Sequence, residues 1–230
     1  INEVAQAGDA ATVFSVGDEK DITLTDGEVL TVVVLGFNHD NLTSGGKAKM
    51  SIGMKHLTAT KAQMNTTNTN AGGWEASAMR TTLNDYYNKL PDDLKTVIKA
   101  VNKDASAGSQ SSNITTSTDK LWLFSAAEIW SGTGIDNISW SWYTQDMKNV
   151  HKNEGYQYEY YKNLIGDQTA TSSCTSLLKK LSNGAGSANI WCLRSPIMNG
   201  NDSFLIVLSG GFITGGYASH SYGVCFGYCI

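Results

Sequence analysis

The last fifty residues constrain the fold more than any other part of the chain. Residues 181–230 hold nine glycines and seven aromatic residues, but only one Arg, one Asp and one His. Short apolar runs are separated there by the pairs Gly210-Gly211 and Gly215-Gly216. Glycine adopts the positive φ that tight turns require at little steric cost. The pattern predicts antiparallel strands joined by tight turns and built from almost uncharged sequence.

The first half of the chain adds a hairpin and two helices. Asp26-Gly27 stands between two β-rich runs and predicts a tight hairpin turn. Apolar residues recur at helical spacing over residues 79–90, with Ser77 as a candidate cap. They recur again over residues 91–101, where Pro91 suits a first turn. The order hairpin, helices, strands predicts an α+β fold with a mostly antiparallel sheet and two main helices.

The segment between the helices and the C-terminal strands is less regular. Residues 105–118 are rich in Ser, Thr, Ala and Gly and predict a surface loop, and residues 121–124 predict a short buried strand. Trp140, Trp142 and Tyr143 then stand in a polar stretch. Large aromatic side chains are normally buried, which favours a flap over the core, but an aromatic binding loop stays open.

The composition fits one globular domain. With 41% hydrophobic residues in 230, the chain can bury a core without a disulfide or a metal. Since it begins at Ile1, we expect residues 1–20 to be a linker or first strand from a longer parent protein and residues 21–230 to be the domain. The net charge of −4 argues against nucleic acid as a partner. No apolar run approaches the roughly 18 residues of a membrane helix, so we expect no membrane insertion.

The sequence holds no arrangement that predicts catalysis. The four histidines lie far apart, and the four cysteines include no CxxC pair that would hold a structural zinc. Cys225 and Cys229 stand four residues apart, and His220 and Arg194 could activate a thiol, so a reactive cysteine stays an alternative. Buried apolar cysteines are the commoner case. We therefore expect no enzyme activity, no metal and no cofactor.

The run from Phe204 to Leu208 is the strongest anomaly, because both faces of this strand are apolar. One face can pack on the core, whereas the other must be covered or form a contact surface. Phe212 and Tyr217 extend the anomaly, since they place bulky side chains beside glycine pairs, where turns usually carry polar residues. A fully buried central strand and an exposed binding strand both fit this pattern.

Segments along nearly the whole chain match a known pattern, most specifically Leu193-Arg194-Ser195-Pro196 and the C-terminal Gly223-Val224, Phe226-Gly227 and Cys229. The other matching segments are residues 14–20, 35–40, 72–74, 79–80, 90–91 with 94, 118–124, 157–160, 222–224 and 226–230. On these residues the chain resembles a family of uncharacterised domains from tail proteins of gut bacterial phages and related bacterial surface proteins. It departs from the family pattern at Cys192 and in residues 140–143, which look like an insertion.

The resemblance implies a C-type-lectin-like fold with a variable region at about residues 190–230. Many members look like variable targets of diversity-generating retroelements, which mutate template adenines and yield codons that never encode Lys, Glu, Gln, Met or Trp. Those five types supply 39 of residues 1–196, so about seven would be expected among residues 197–230, but only Met198 is found. Buried strands and turns also disfavour Lys and Glu, so both explanations of this deficit stay open.

The resemblance also sorts the C-terminal region into fixed positions, expected to face inward, and variable positions, expected to face water and bind ligand. The fixed positions are Phe204, Val207, Gly211, Ala218, Gly223, Val224, Phe226, Gly227 and Cys229. The variable positions are Ile197, Ser203, Ile206, Leu208, Phe212, Gly215, Gly216, Tyr217, His220, Tyr222 and Cys225. Alternation along the strand puts Ile206 and Leu208 on one face and Val207 on the other, in agreement with this division.

Together these features favour ligand binding over catalysis. We expect a rigid lectin-like scaffold that displays a hypervariable surface at a phage tail tip or on a bacterial cell, for host recognition or adhesion. Its partner is expected to be a bacterial surface protein or glycan, bound multivalently through a homo-oligomer in the parent assembly. Two alternatives stay open: an oxidase of the formylglycine-generating type that uses Cys225 and Cys229, and a purely structural tail decoration whose C-terminal region is fully covered.

Overall fold

The structure is a computed structural model that describes residues 10–182, 184 and 186–230. Its strands are β1 (Glu19–Thr23), β2 (Val29–Phe37), β3 (Met50–Met54), β4 (Ala62–Gln63), β5 (Val101–Ser106), β6 (Ile114–Asp119), β7 (Trp122–Leu123), β8 (Trp191–Pro196), β9 (Ser203–Val207), β10 (Ile213–Tyr217), β11 (Ser221–Tyr222) and β12 (Phe226–Cys229). Its helices are α1 (Ala10–Val13), α2 (Met79–Lys89), α3 (Asp92–Val97), α4 (Ala126–Ile129), α5 (Gly132–Asp136), α6 (Gln145–Lys152) and α7 (Glu159–Ile165), and a 3-10 turn covers Thr175–Leu177. All pairings between these strands are antiparallel, which confirms a mixed α and β fold with mostly antiparallel sheets.

The largest sheet has five strands in the order β1-β2-β3-β12-β7. The hairpin predicted at Asp26-Gly27 joins β1 to β2, and Gly27 has the positive φ of +89° that the turn requires. The last strand, β12, lies between β3 and β7, and all four of its residues are buried. The C-terminal end of the chain is therefore part of the centre of this sheet.

A second sheet has three strands in the order β10-β9-β8, and β11 forms a separate pair with β4. Strand β9 is central, and its residues 204–207 are all buried, so β9 is covered on both faces. Strand β10 forms one edge, where Tyr217 stands opposite Ser203. This sheet and the short β4–β11 pair carry most of the positions expected to vary.

Two of the seven helices found in the described residues were predicted. Helix α2 matches the expected first helix, although its N-cap is Ala78 rather than Ser77, and Asn65 Oδ1 accepts a hydrogen bond from the Ala78 N–H at 2.9 Å. Helix α3 ends at Val97, before the expected end. The expectation of two main helices is incomplete, because α4 to α7 add four more helical segments of four to eight residues. Segments this short show too few turns for apolar periodicity to reveal them.

The expected surface loop at 105–118 is correct only for residues 107–113, and both of its ends are strands. Strands β5 and β6 form a hairpin there, in a register from the pair Val101–Asp119 to the pair Ser106–Ile114. Threonine is common in strands, and the Ser- and Thr-rich sequence of β6 gives a half-exposed strand. Composition suggested a loop because Ser and Thr are also frequent in turns.

The aromatic stretch near Trp140 packs on the core. The Trp140 and Trp142 rings stack with centroids 5.3 Å apart, both are half-buried against the core, and Tyr143 is buried. This arrangement fits the flap interpretation. Residues 1–9 of the expected N-terminal segment lie outside the described residues, and α1 and the start of β1 occupy the remainder. In the described part of the chain, no helix has the length and apolar character needed to span a bilayer.

Candidate ligand-binding surface

Three aromatic side chains cluster on the surface where β10 leads into β11. Tyr217 is 50% exposed, and its ring meets the exposed His220 ring edge to face with centroids 5.3 Å apart. The half-buried Tyr222 ring lies 6.3 Å from that of His220. We call Tyr217, His220 and Tyr222 the aromatic patch.

The backbone beneath the aromatic patch is held by hydrogen bonds on both sides. The Ala218 N–H donates to the Asp202 carbonyl at 2.8 Å, and the Ala218 carbonyl accepts from the Asn65 N–H at 2.9 Å. Gln63 Nε2 donates to the Ser219 carbonyl at 2.5 Å. A turn fixed at adjacent residues presents its side chains with little freedom to lose on binding.

Neutral polar groups border the aromatic patch. Ser219 Oγ donates to Asn68 Oδ1 at 3.4 Å, and the exposed Ser221 lies in β11. Burial raises the pKa of the Tyr222 hydroxyl, so this group stays a neutral hydrogen-bond donor and acceptor near pH 7. Flat aromatic faces beside neutral hydrogen-bonding groups are suited to uncharged polar ligands and to protein surfaces.

The eleven predicted variable positions differ in exposure. Gly215, Tyr217 and His220 are exposed, and Ser203, Leu208, Phe212 and Tyr222 are half-buried. The expectation that all of them face water is wrong for the buried Ile197, Ile206, Gly216 and Cys225. Ile206 is 4% exposed because β9 is the central strand and the neighbouring variable side chains cover it.

Several of the buried variable positions nevertheless contact other variable positions. A Cβ built on Gly216 would lie 2.8 Å from both Ile206 Cδ1 and the Tyr222 hydroxyl oxygen. One built on Gly215 would lie 3.6 Å from Ile197 Cδ1. Although buried, Ile206 lies outside the main hydrophobic cluster. Ile206 and Gly216 therefore lie against Tyr222 on one face of β10, whereas Ile197 lies beside Gly215 on the other face.

All nine positions expected to be fixed are buried, whereas only four of the eleven variable positions are. Their glycines leave no room for a side chain: a Cβ on Gly211, where φ is +79°, would lie 1.9 Å from the Cys174 carbonyl oxygen. A Cβ on Gly223 would lie 2.4 Å from Leu57 Cδ1. The two classes of position thus have different packing, and only the variable class reaches the surface.

The cysteines do not form a common site. All four are buried free thiols. Cys225 Sγ donates to the Met54 carbonyl at 3.4 Å, whereas Cys229 Sγ lies 3.3 Å from Asp40 Oδ2. Burial raises the pKa of both thiols. Among the described residues, no group of three or more His, Cys, Asp or Glu side chains is arranged to hold a metal ion.

A buried cluster of charges is the main feature that the sequence analysis missed. Lys103 Nζ donates to Asp40 Oδ1 and, at 2.8 Å, to Glu128 Oε1, and Arg194 Nη1 donates to Glu128 Oε2 at 2.5 Å. Burial alone would raise the pKa values of Asp40 and Glu128, but the adjacent cations outweigh burial and lower both. The cluster links β5, β8, α4 and the segment after β2.

Sequence reasoning offered one clue to this cluster and none to the border of the aromatic patch. Arg194 is the only arginine of residues 181–230, in an otherwise apolar run, and such a charge requires a buried partner. Gln63 and Asn68 border the patch, but they stand about 150 residues earlier in the chain, and nothing local marks them.

Comparison with known proteins identifies one family. The model of a domain of unknown function (DUF6273) matches residues 49–227. Neither a curated protein nor a solved structure is significantly similar to the chain.

Proposed function

The chain belongs to the DUF6273 family, and we propose that it is a non-enzymatic binding domain with a hypervariable surface on a C-type-lectin-like scaffold. The ligand would be a protein or glycan of a bacterial surface, recognised from a phage tail or from another cell. The observation that carries this proposal is the aromatic patch, in which exposed rings stand on a hydrogen-bonded turn.

The aromatic patch has the properties of a binding site rather than of an ordinary surface. Only five large hydrophobic side chains of the described residues are exposed, and Tyr217 is one of them. Tyrosine supplies a large contact area at the cost of ordering only two side-chain torsions. The neighbouring His220 and Ser219 supply hydrogen-bonding groups that orient a ligand.

The separation of fixed from variable positions supports hypervariability. A surface that changes must do so without unfolding the domain, so changing positions have to contact water or one another. Gly215 and Ile197 contact each other in this way, as do Gly216, Ile206 and Tyr222. The near absence of Lys, Glu, Gln, Met and Trp from residues 197–230 agrees with retroelement-driven change.

The two alternatives have less support. An oxidase that uses paired cysteines needs both thiols to reach one metal ion and a substrate, but Cys225 and Cys229 are buried and contact different groups. A structural decoration predicts a covered C-terminal region, but Tyr217 is 50% exposed. A patch of three aromatic residues is small, so firm attachment would require several copies in one assembly.

The test compares two equally exposed tyrosines. The domain, displayed in many copies on fluorescent beads, is mixed with intact gut bacteria and with their extracted polysaccharides. Tyr217→Ser is expected to reduce bead binding at least tenfold, whereas Tyr156→Ser, which alters a tyrosine that is 52% exposed elsewhere, should leave it unchanged. Equal binding of all three proteins would contradict the proposal, and so would loss of folding in Tyr217→Ser.

A further inference from the structure

Among the residues that the structure describes, no strand pairs with the outer side of β1, which forms one edge of the five-stranded sheet. The Val34 N–H donates to the Asp18 carbonyl and the Leu24 N–H to the Glu28 carbonyl, both at the same register as the β1–β2 pairs Lys20–Val32 and Ile22–Leu30. Because hydrogen-bonding direction alternates along an antiparallel pair, the N–H and C=O groups of Glu19, Asp21 and Thr23 point away from β2. Within the described part of the chain, these outward groups have no backbone partner.

A groove of about 850 Å³ runs along this edge. Its lining is largely apolar and comes from the outer face of the sheet, from α3 and from the residue after α1. The principal apolar lining residues are Phe14, Ile22, Val32, Val34, Leu94 and Val97. Lys20 and Ile22 share the face of Val32, so any strand added to β1 would send every second side chain toward this groove.

The charges along β1 and the groove are mainly acidic. Asp18, Asp21 and Asp93 lie along β1 and the groove, with Lys20 as a cation on the groove side, and among the described residues none of these three carboxylates has a cationic partner. Glu19 adds a fourth carboxylate and pairs with Lys55 at 2.7 Å. The side chains of Glu19 and Asp21 project to the face opposite that of Ile22.

From these features the geometry points to a second binding site, at which β1 accepts an extended segment of a partner protein with alternating apolar and basic residues. The partner's backbone pairs with Glu19, Asp21 and Thr23, as in other cases of strand addition to a sheet edge. Its apolar side chains enter the groove beside Ile22, and its basic side chains stand opposite Glu19 and Asp21.

A second copy of the chain is a poorer occupant. Pairing β1 with another β1 would bring Glu19 and Asp21 close to their own counterparts, and like charges on facing strands are destabilising. Acidic side chains at an exposed edge also discourage unspecific strand pairing. A basic partner converts the same charges into attraction.

The test uses a fluorescently labelled nine-residue peptide of alternating valine and lysine, with a control peptide that holds the same residues in two blocks. Fluorescence anisotropy is expected to show binding of the alternating peptide and at least tenfold weaker binding of the block peptide. Asp21→Pro removes an outward N–H without breaking a backbone hydrogen bond to β2, although it loses the one that Asp21 Oδ1 accepts from Thr31 Oγ1, so it should reduce binding at least tenfold. Asp21→Asn keeps that N–H, so its affinity for the alternating peptide should fall only a few fold.

A variant that reverses the charge of Asp21 tests the same site if Asp21→Pro prevents β1 from folding. Asp21→Lys should weaken binding of the valine–lysine peptide and strengthen binding of a valine–glutamate peptide, each by about tenfold. Tyr217→Ser should change neither, since the aromatic patch belongs to a different sheet. Equal binding of the alternating and block peptides would overturn the inference. Dimerisation of the wild type that Asp21→Pro abolishes would also overturn it, because the occupant would then be a second copy.

Discussion

The hydroxyl oxygen of Tyr222 occupies space that a side chain on Gly216 would need: a Cβ there would lie 2.8 Å from it. The same Cβ would lie 2.8 Å from Ile206 Cδ1 and Cγ2. The obstructing atoms are the ends of side chains rather than backbone, so a change at one of these positions can be accommodated by a change at another. Variation beneath the aromatic patch is therefore expected to be coupled.

This coupling gives the first prediction. Gly216→Ala alone should cost about 1–3 kcal/mol of unfolding free energy, because it overpacks the site. Ile206→Ala alone should cost about 2–5 kcal/mol, because it leaves a cavity. The double variant should lose about 0.5–3 kcal/mol less unfolding free energy than the two single variants lose together, because the new methyl group then has room. Urea denaturation of the four proteins measures this difference, and strict additivity would contradict it.

A second prediction compares two glycines of the C-terminal region. Gly211→Ala should cost about 3 kcal/mol or more, because φ is +79° and the new Cβ would meet the Cys174 carbonyl oxygen at 1.9 Å. Gly215→Ala should be neutral or stabilise by up to about 1 kcal/mol, because its Cβ would meet only Ile197 at an ordinary 3.6 Å. Thermal unfolding measures both. Similar losses of unfolding free energy in the two variants would refute the division into fixed and variable positions.

The sequence predicted those features that depend on local chemistry. Asp26-Gly27 specified its hairpin and Gly210-Gly211 the turn between β9 and β10, since a turn needs particular residues at particular positions. The turn predicted at Gly215-Gly216 is wrong, because both glycines lie within β10 and pair with β9. The placement of β12 between β3 and β7 could not be predicted, because it depends on pairing between residues more than 170 positions apart, such as Cys229 and Ser51.

The candidate site could be predicted only in part, because its exposure also depends on segments that are far apart in the sequence. Alternation along β9 correctly separates Ile206 from Val207, but it does not tell how much other chain covers each face. Ile206 is buried at a place where its side chain and the Tyr222 hydroxyl group both reach the space beside Gly216 of the paired strand β10. The hydrogen bond from Gln63 to the turn before β11 likewise comes from a distant segment. Tertiary packing, rather than the local pattern, decides which of the variable positions a ligand can touch.

A third prediction concerns the thiols. Burial raises the pKa of Cys192 to about 12, and it also raises the pKa values of Cys225 and Cys229. Since the thiolate is the reactive form, these three cysteines should resist alkylation by iodoacetamide at pH 8 in the native protein and react rapidly in urea. Peptide mass analysis identifies the modified residues. Rapid native labelling of Cys225 and Cys229, or its suppression by copper, would instead favour the oxidase alternative.

The fourth prediction concerns the buried charges. Lys103→Met would leave the Asp40 carboxylate buried without its lysine partner, which typically costs about 3–5 kcal/mol near neutral pH. In the wild type, burial would raise the pKa of Asp40, but Lys103 outweighs it and holds this pKa well below the usual value. The stabilisation from Asp40 is therefore fully present above the unfolded-state pKa of about 3.9 and is lost only as the pH falls through the lower folded-state pKa.

Without Lys103, burial should raise the folded-state pKa of Asp40 above that of the unfolded state. The carboxyl group can then take up a proton in the folded protein as the pH falls, so the destabilisation by Lys103→Met should shrink between pH 7 and pH 4. Urea denaturation at both pH values measures the effect, with the exposed Lys20→Met as the control. A loss of equal size at pH 7 and pH 4 would show that Lys103 acts through packing, over the Trp122 ring at 3.8 Å, rather than through charge.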